Sequence, residues 1–323
     1  MNSQFLAFSR IKGLGPKGLK KIIDYCKLKN ITTISDSNIN ELLNSVSITN
    51  KLKDFIKTSM RSGLFDKLLK EAEKDLDLCY EKNIHVVSYY DNNYPKYLMF
   101  LDDAPIFLYC KGNIKLLNNQ NNVAVVGTRN NSDYGKLITQ KTVQFLVEND
   151  YCIVSGLALG IDTIAHESAL EFNGKTISVL VDVDAITPKK NLELARNILA
   201  NEGLLVSENP PETKIIPAHF AKRDRIQAGL SLAIFPIETS LDGGTFHAIN
   251  TGIKYKRTIF APDVNRSGYA DSNILQVEGI KSIIENNKAL PYTKVDYPKI
   301  LRILSDKKEE LNKVQTINEG SLF

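Results

Sequence analysis

Five short segments of this 323-residue chain gather residue types suited to holding an anion. In the first, Val123 to Val126 runs into Gly127-Thr128-Arg129, with Ser132, Tyr134 and Gly135 behind. An apolar strand that ends in glycine just before a helix leaves backbone N–H groups and a forked guanidinium at the strand's carboxyl end. The spacing is not G-x-G-x-x-G, so a dinucleotide turn is not supported. The second is Ser155-Gly156-Leu157-Ala158-Leu159-Gly160-Ile161-Asp162, then His166. Ser155 and Gly156 offer donors for another phosphate oxygen. Asp162 fits either a helix-capping or an acid role. A Ser-Asp-His hydrolase is disfavoured because the G-x-S-x-G elbow is missing.

The third segment, Phe220-Ala-Lys222-Arg223-Asp224-Arg225, places three cations beside a ring, the pairing that single-stranded nucleic acid uses. The fourth, Asp242-Gly243-Gly244-Thr245, reads as a turn in which Thr245 caps the next helix. The fifth, Lys12-Gly13-Leu14-Gly15-Pro16-Lys17, lies between two helical patterns and reads as a helix-hairpin-helix, a secondary contact for a nucleic-acid backbone.

The elements that must position these segments follow from periodicity. Residues 1–83 repeat apolar residues at helical spacing, as in Leu19, Ile22, Ile23 and Cys26, or Phe65, Leu68, Leu69 and Ala72. From Ile84, apolar runs alternate with amphipathic stretches: Val123–Val126, Cys152–Val154, Ile177–Val181, Leu204–Val206, Leu232–Ile237 and Thr258–Ala261. That alternation predicts an α/β class, an extended Rossmann-like, doubly wound, mostly parallel sheet. A small all-α, helix-hairpin-helix (SAM-like) domain precedes it. The expected division is 1–83 helical, 84–290 core, and 291–323 a short tail with one amphipathic helix over Ile300 to Val314 and a frayed end at Asn318 to Phe323.

Composition narrows the function. With 43% hydrophobic and 24% charged residues the chain is an ordinary globular one, with no apolar run long enough for a membrane span and no signal peptide, so a cytoplasmic protein is expected. Cys26, Cys79, Cys110 and Cys152 are far apart and read as buried hydrophobes, and the four histidines are scattered, so neither disulfides nor a metal site is predicted. Residues 1–74 carry 14 basic and 7 acidic side chains, whereas the rest is slightly acidic. A basic first segment suits a polyanion.

The order of these motifs resembles the DprA/Smf family, DNA-processing protein A of bacterial natural transformation. The resemblance spans Tyr94 to Gly279: Tyr94-Pro95, Leu108-Tyr109, Gly127-Thr128-Arg129, Ser155-Gly156, Ser207-Glu208, Phe220-x-x-Arg223-x-Arg225 and Asn273-Ile-Leu275. It implies a protein that binds and protects single-stranded DNA, helps load a RecA-type recombinase, works as a homodimer in competence or recombination, and has no cofactor and no catalysis. It also implies that Lys175 joins Arg129 and Arg223 in a basic pocket around Ser155, Gly156 and Phe220. The chain departs from the family pattern in four places. Asp224 replaces an asparagine, Val181-Asp182-Val183-Asp184 replaces a glycine-rich turn, Thr187-Pro188 replaces Tyr-Pro, and Leu241-Asp242-Gly243-Gly244-Thr245 replaces Ser-Gly-Ser-Leu. The short tail leads to the expectation that the winged helix of many members is absent. The alternative is a small-nucleotide sensor or a LOG-type phosphoribohydrolase, in which Glu238 or Asp242 would serve as the acid.

Overall fold

A computed structural model of the chain describes residues 3–266 and 276–320, with the side chains of the last helix described through Lys313. The first 81 residues form α1 (Ser3–Ser9), α2 (Pro16–Leu28), α3 (Ile39–Ser45), α4 (Asn50–Arg61) and α5 (Leu64–Glu81). The helical spacing of α2 buries Leu19, Ile22, Ile23 and Cys26 together. In α5, Phe65 and Ala72 are buried, and the Phe65 ring meets Phe8 of α1 with centroids 4.7 Å apart. The α1–α2 turn is the predicted hairpin. Gly13 adopts φ +91°, which a side chain resists, and Pro16 starts α2 where its missing N–H costs nothing.

The remainder is built on one nine-stranded sheet. In chain order it contains β1 (His85–Ser88), β2 (Phe107–Gly112), β3 (Asn122–Val126), α6 (Asp133–Val147), β4 (Cys152–Ser155) and α7 (Ile161–Glu171). It continues with β5 (Thr176–Val179), α8 (Leu192–Ala200), β6 (Leu204–Ser207), α9 (Pro217–Leu230), β7 (Ala233–Pro236), α10 (Phe246–Lys254) and β8 (Thr258–Pro262). Then follow α11 (Glu278–Glu285), β9 (Leu290–Tyr292) and α12 (Tyr297–Gly320). The order across the sheet is β1-β2-β6-β5-β4-β3-β7-β8-β9. The pairs β1–β2 and β2–β6 are antiparallel and the others parallel. All six predicted core strands are present. β3 to β7 are buried at every residue, as strands covered on both faces must be.

The expected end of the core at residue 290 is corrected. Ala261 of β8 pairs with Pro291 of β9, so the sheet continues into the supposed tail. Pro291 is tolerated because β9 is the outermost strand, where a missing N–H breaks no further ladder. α12 then returns to the core with Ile300, Leu304 and Leu311 buried. Of the segment expected to fray, residues 318–320 continue α12 and 321–323 lie outside the described residues, as do Asn273 and Leu275 of the motif pattern.

The helical region and the sheet share one apolar cluster that runs from Leu6, Leu19 and Phe65 to Phe107, Tyr109, Leu180 and Leu205. The acidic turn after β5 fastens them together. Asp184 binds Lys82, just past α5, at 2.6 Å and Lys111 of β2 at 3.3 Å. Asp182 accepts from the N–H groups of Asp184 and Ala185 and so shapes its own loop.

Candidate nucleic-acid interface

Between β3 and β7 the winding of the sheet reverses. The chain moves one way through β4, β5 and β6, then returns to the other side of β3 as β7. The loops after β3 and β7 therefore diverge at the carboxyl edge, and the space between them is where doubly wound folds bind ligands. Here it is a cleft of about 520 Å³, within the range of small-molecule and nucleotide sites. Gly127, Thr128 and Arg129 enter it from the end of β3, Ala158 from the β4–α7 turn, Asp162 from the first turn of α7, Phe220 and Arg223 from α9, and Gly243, Gly244 and Thr245 from the β7–α10 turn.

Arg223 is its central cation. The residue is 5% exposed, and its guanidinium lies on Gly156, where an added Cβ would sit 1.4 Å from Nη1. Gly156 is thus the residue that admits the arginine, not a direct ligand. Asp162 lies 3.9 Å from Arg223 and Asp224 lies 3.3 Å from its Nε. Among the described residues neither Nε nor Nη1 of Arg223 has a hydrogen-bond acceptor. A buried cation in that state has donors left for an incoming oxyanion. Arg129, exposed at the rim, holds its guanidinium 5.9 Å from the ring centroid of half-buried Phe220. That pair presents a charge and a flat apolar face side by side.

The acids around the cleft differ in role. Asp162 accepts from the N–H groups of Gly156 at 3.1 Å and Ala158 at 3.4 Å, which pins the turn that carries them. Burial raises its pKa against the opposing effect of Arg223. Burial also pushes Asp224 up to about 6, with Arg223 opposing and Asp162 reinforcing the rise. Gln227, one turn along the same face of α9, donates to Asp224 at 2.9 Å.

Several expected ligands lie elsewhere. Lys175 precedes the first residue of β5 and so sits at the amino edge of a parallel sheet, opposite the cleft, bound to Glu202 at 2.7 Å. Arg225 is turned by helical rotation into a clamp, with Glu208 at 2.8 Å and Asp103 at 2.8 Å. Lys222 faces away from the cleft and binds Glu208 at 3.1 Å. Ser155 is fully buried beneath the turn and donates to the Val125 carbonyl at 2.7 Å. Thr245 makes no capping bond, because its own backbone is already helical. His166 is buried against Thr176 at 2.7 Å with its pKa lowered to about 3 by desolvation, so it forms no hydrolytic set with Ser155. Glu238 is buried and accepts from the Ser132 N–H and hydroxyl, which leaves no acid for the phosphoribohydrolase alternative at that position. The four cysteines are buried as expected.

Sequence reading missed Asn130, Gln227 and Gln276 as lining residues. Gln227 was recoverable from its four-residue spacing to Arg223. Gln276 was not, since it arrives from α11's approach and accepts from the Thr128 hydroxyl across 148 residues of chain.

The fold and cleft define a Rossmann-like α/β protein with a buried arginine at the switch point of its sheet. Residues 85–301 match the family described as DNA recombination-mediator protein A, and the chain belongs to it. It is 31% identical to the DNA processing protein DprA of Bacillus subtilis over 210 residues, 65% of this chain and 70% of that one. It is 32% identical to protein Smf of Synechocystis over 295 residues, 88% of this chain and 71% of that one. The crystal structure of DNA processing protein A from Streptococcus pneumoniae superposes with a TM-score of 0.73 at 27% identity, covering 91% of this chain and 95% of that one. The Helicobacter pylori protein, solved for its single-stranded DNA binding mode, gives 0.59 at 28% identity over 68% and 96%.

Proposed function

We propose that this protein binds single-stranded DNA in the β3–β7 cleft and hands it to a RecA-type recombinase, without chemical turnover. The observation that carries the reading is Arg223, a buried guanidinium with unused donors at the switch point, flanked by the Arg129–Phe220 pair. A phosphate would take the Arg223 donors and the backbone N–H groups near Gly127, while a base would stack on Phe220. Such contacts hold a strand without choosing its sequence. Self-association as a homodimer through the later part of the core belongs to the same reading, and the related H. pylori structure supports the single-strand part of it.

The test is fluorescence anisotropy with labelled oligothymidylate, with duplex DNA and common nucleotides as competitors. Arg223→Ala is expected to weaken binding about 10- to 100-fold, the range for hydrogen bonds to a charged group, and to stay folded at a lower Tm because Asp162 and Asp224 lose their cation. An unchanged binding curve for that variant would remove the cleft from the reading. Displacement by one particular nucleotide would favour a small-ligand sensor instead.

A further inference from the structure

A second cleft, of about 340 Å³, separates the hairpin from the core. Leu14 and Pro16 line it from the hairpin, Phe107 and Pro210 from the core, and Lys222 lines it from α9. Its lining is therefore largely apolar, with the paired Lys222 and Glu208 beside it. Lys222 lies between Ala221 and Arg223, both of which line that first cleft, so a single helix of about 10–12 Å width forms the ridge between the two. The acid in the second cleft, Glu208, is already engaged by Arg225 and Lys222. Arg10 borders the cleft, and Lys12 and Lys17 are exposed on the adjoining hairpin turn. Two further features point to a ligand. Tyr109 is 1% exposed, lines the cleft, and among the described residues its hydroxyl has no hydrogen-bond partner. The Arg10 Nε also lacks an acceptor, while its terminal nitrogens pair with Asp75 and Glu71.

We propose that this second cleft holds bases of the same single strand, which crosses the start of α9 at Lys222 and continues between the hairpin and the core. The inference rests on the single-strand reading of the first cleft. An apolar lining suits base faces, and the hairpin lysines suit the phosphates that follow. The basic first segment of the sequence thereby joins the function of the core, from which it is distant in the chain.

The experiment compares labelled oligothymidylates of about 6 and about 20 nucleotides on the full chain, bracketing the site sizes of single-strand binders. Ser9→Trp fills the cleft from an exposed helix end, and Lys222→Ala removes the cation on the ridge. Wild type is expected to bind the longer strand about tenfold more tightly, and both variants to lose that gain while short-strand affinity stays within about twofold. Thermal melting serves as the fold control. A full long-strand gain in both variants would overturn the proposal, as would equal losses at both lengths, which would place the effect in the first cleft. If wild type binds neither length, the single-strand reading itself fails; if Arg223→Ala weakens both lengths and the cleft variants neither, only the second subsite does.

Discussion

Arg223 and Arg225 stand two residues apart on α9 and serve different ends. Arg225 is satisfied by Glu208 and Asp103, whereas the Nε and Nη1 of Arg223, which lines the cleft, have no hydrogen-bond acceptor among the described residues. Arg225→Ala would leave the nearly buried Glu208 with only Lys222 as partner and is expected to destabilise the fold by about 3 kcal/mol, read by chemical denaturation. Asp224 sets the charge of the cleft. Its carboxyl, raised to about 6 by burial, faces Arg223 and Asp162 with Arg129 and His247 nearby. As pH falls through about 6 the cleft loses one negative charge, so anion affinity should rise. The folded state binds that proton more tightly than the unfolded chain does, so the same step also adds stability below about 6. Asp224→Asn should bind the strand more tightly at neutral pH and lose the rise near 6 that Asp224 causes. Equal pH profiles for the two proteins, measured by anisotropy, would show that Asp224 does not set the charge.

Among the elements, the β5–α8 turn shows how an acidic substitution is absorbed. Asp182 and Asp184 lie outside the lining of the β3–β7 cleft, so they do not repel a ligand there. Asp184 instead ties Lys82 and Lys111, and these neighbours hold its carboxyl below its ordinary range despite partial burial. All three side chains are about 30% exposed, which limits each pair to about 1 kcal/mol. Asp184→Asn should therefore lower Tm by about 2–4 °C, measured by differential scanning fluorimetry, and leave single-strand binding unchanged.

For the whole molecule the governing quantity is charge spread over a large surface. The net charge is only +4, yet the helical region is strongly basic and the body slightly acidic. Binding should weaken steeply with salt, and Arg129→Ala should reduce the slope of log K against log salt by about 0.7 if that side chain neutralises one phosphate. Sedimentation at micromolar concentration tests the homodimer; a monomer there would count against self-association. The apolar cluster common to the helices and the sheet further predicts that both melt in one transition, detectable by calorimetry.

What the sequence determined by itself is what depends on local pattern. Helical spacing in α2, the buried runs of β3 to β8, the hairpin at Gly13 and the strand-to-helix turns at Gly127 and Gly243 were all legible, because burial on one or both faces imposes a period on residue type. The short or antiparallel strands β1, β2 and β9 were not, since three to six residues carry little periodicity. The cleft was legible as a set of turns but not as a set of side chains. Lys175, Arg225 and Arg223 look equivalent in sequence, and only the tertiary structure separates them. Strand direction sends Lys175 to the far edge, helical rotation carries Arg225 onto Glu208, and the bare backbone of Gly156 lets Arg223 alone come to rest beneath the loops. Which charge lines the cleft is settled by contacts between residues far apart in the chain, and no local pattern encodes those.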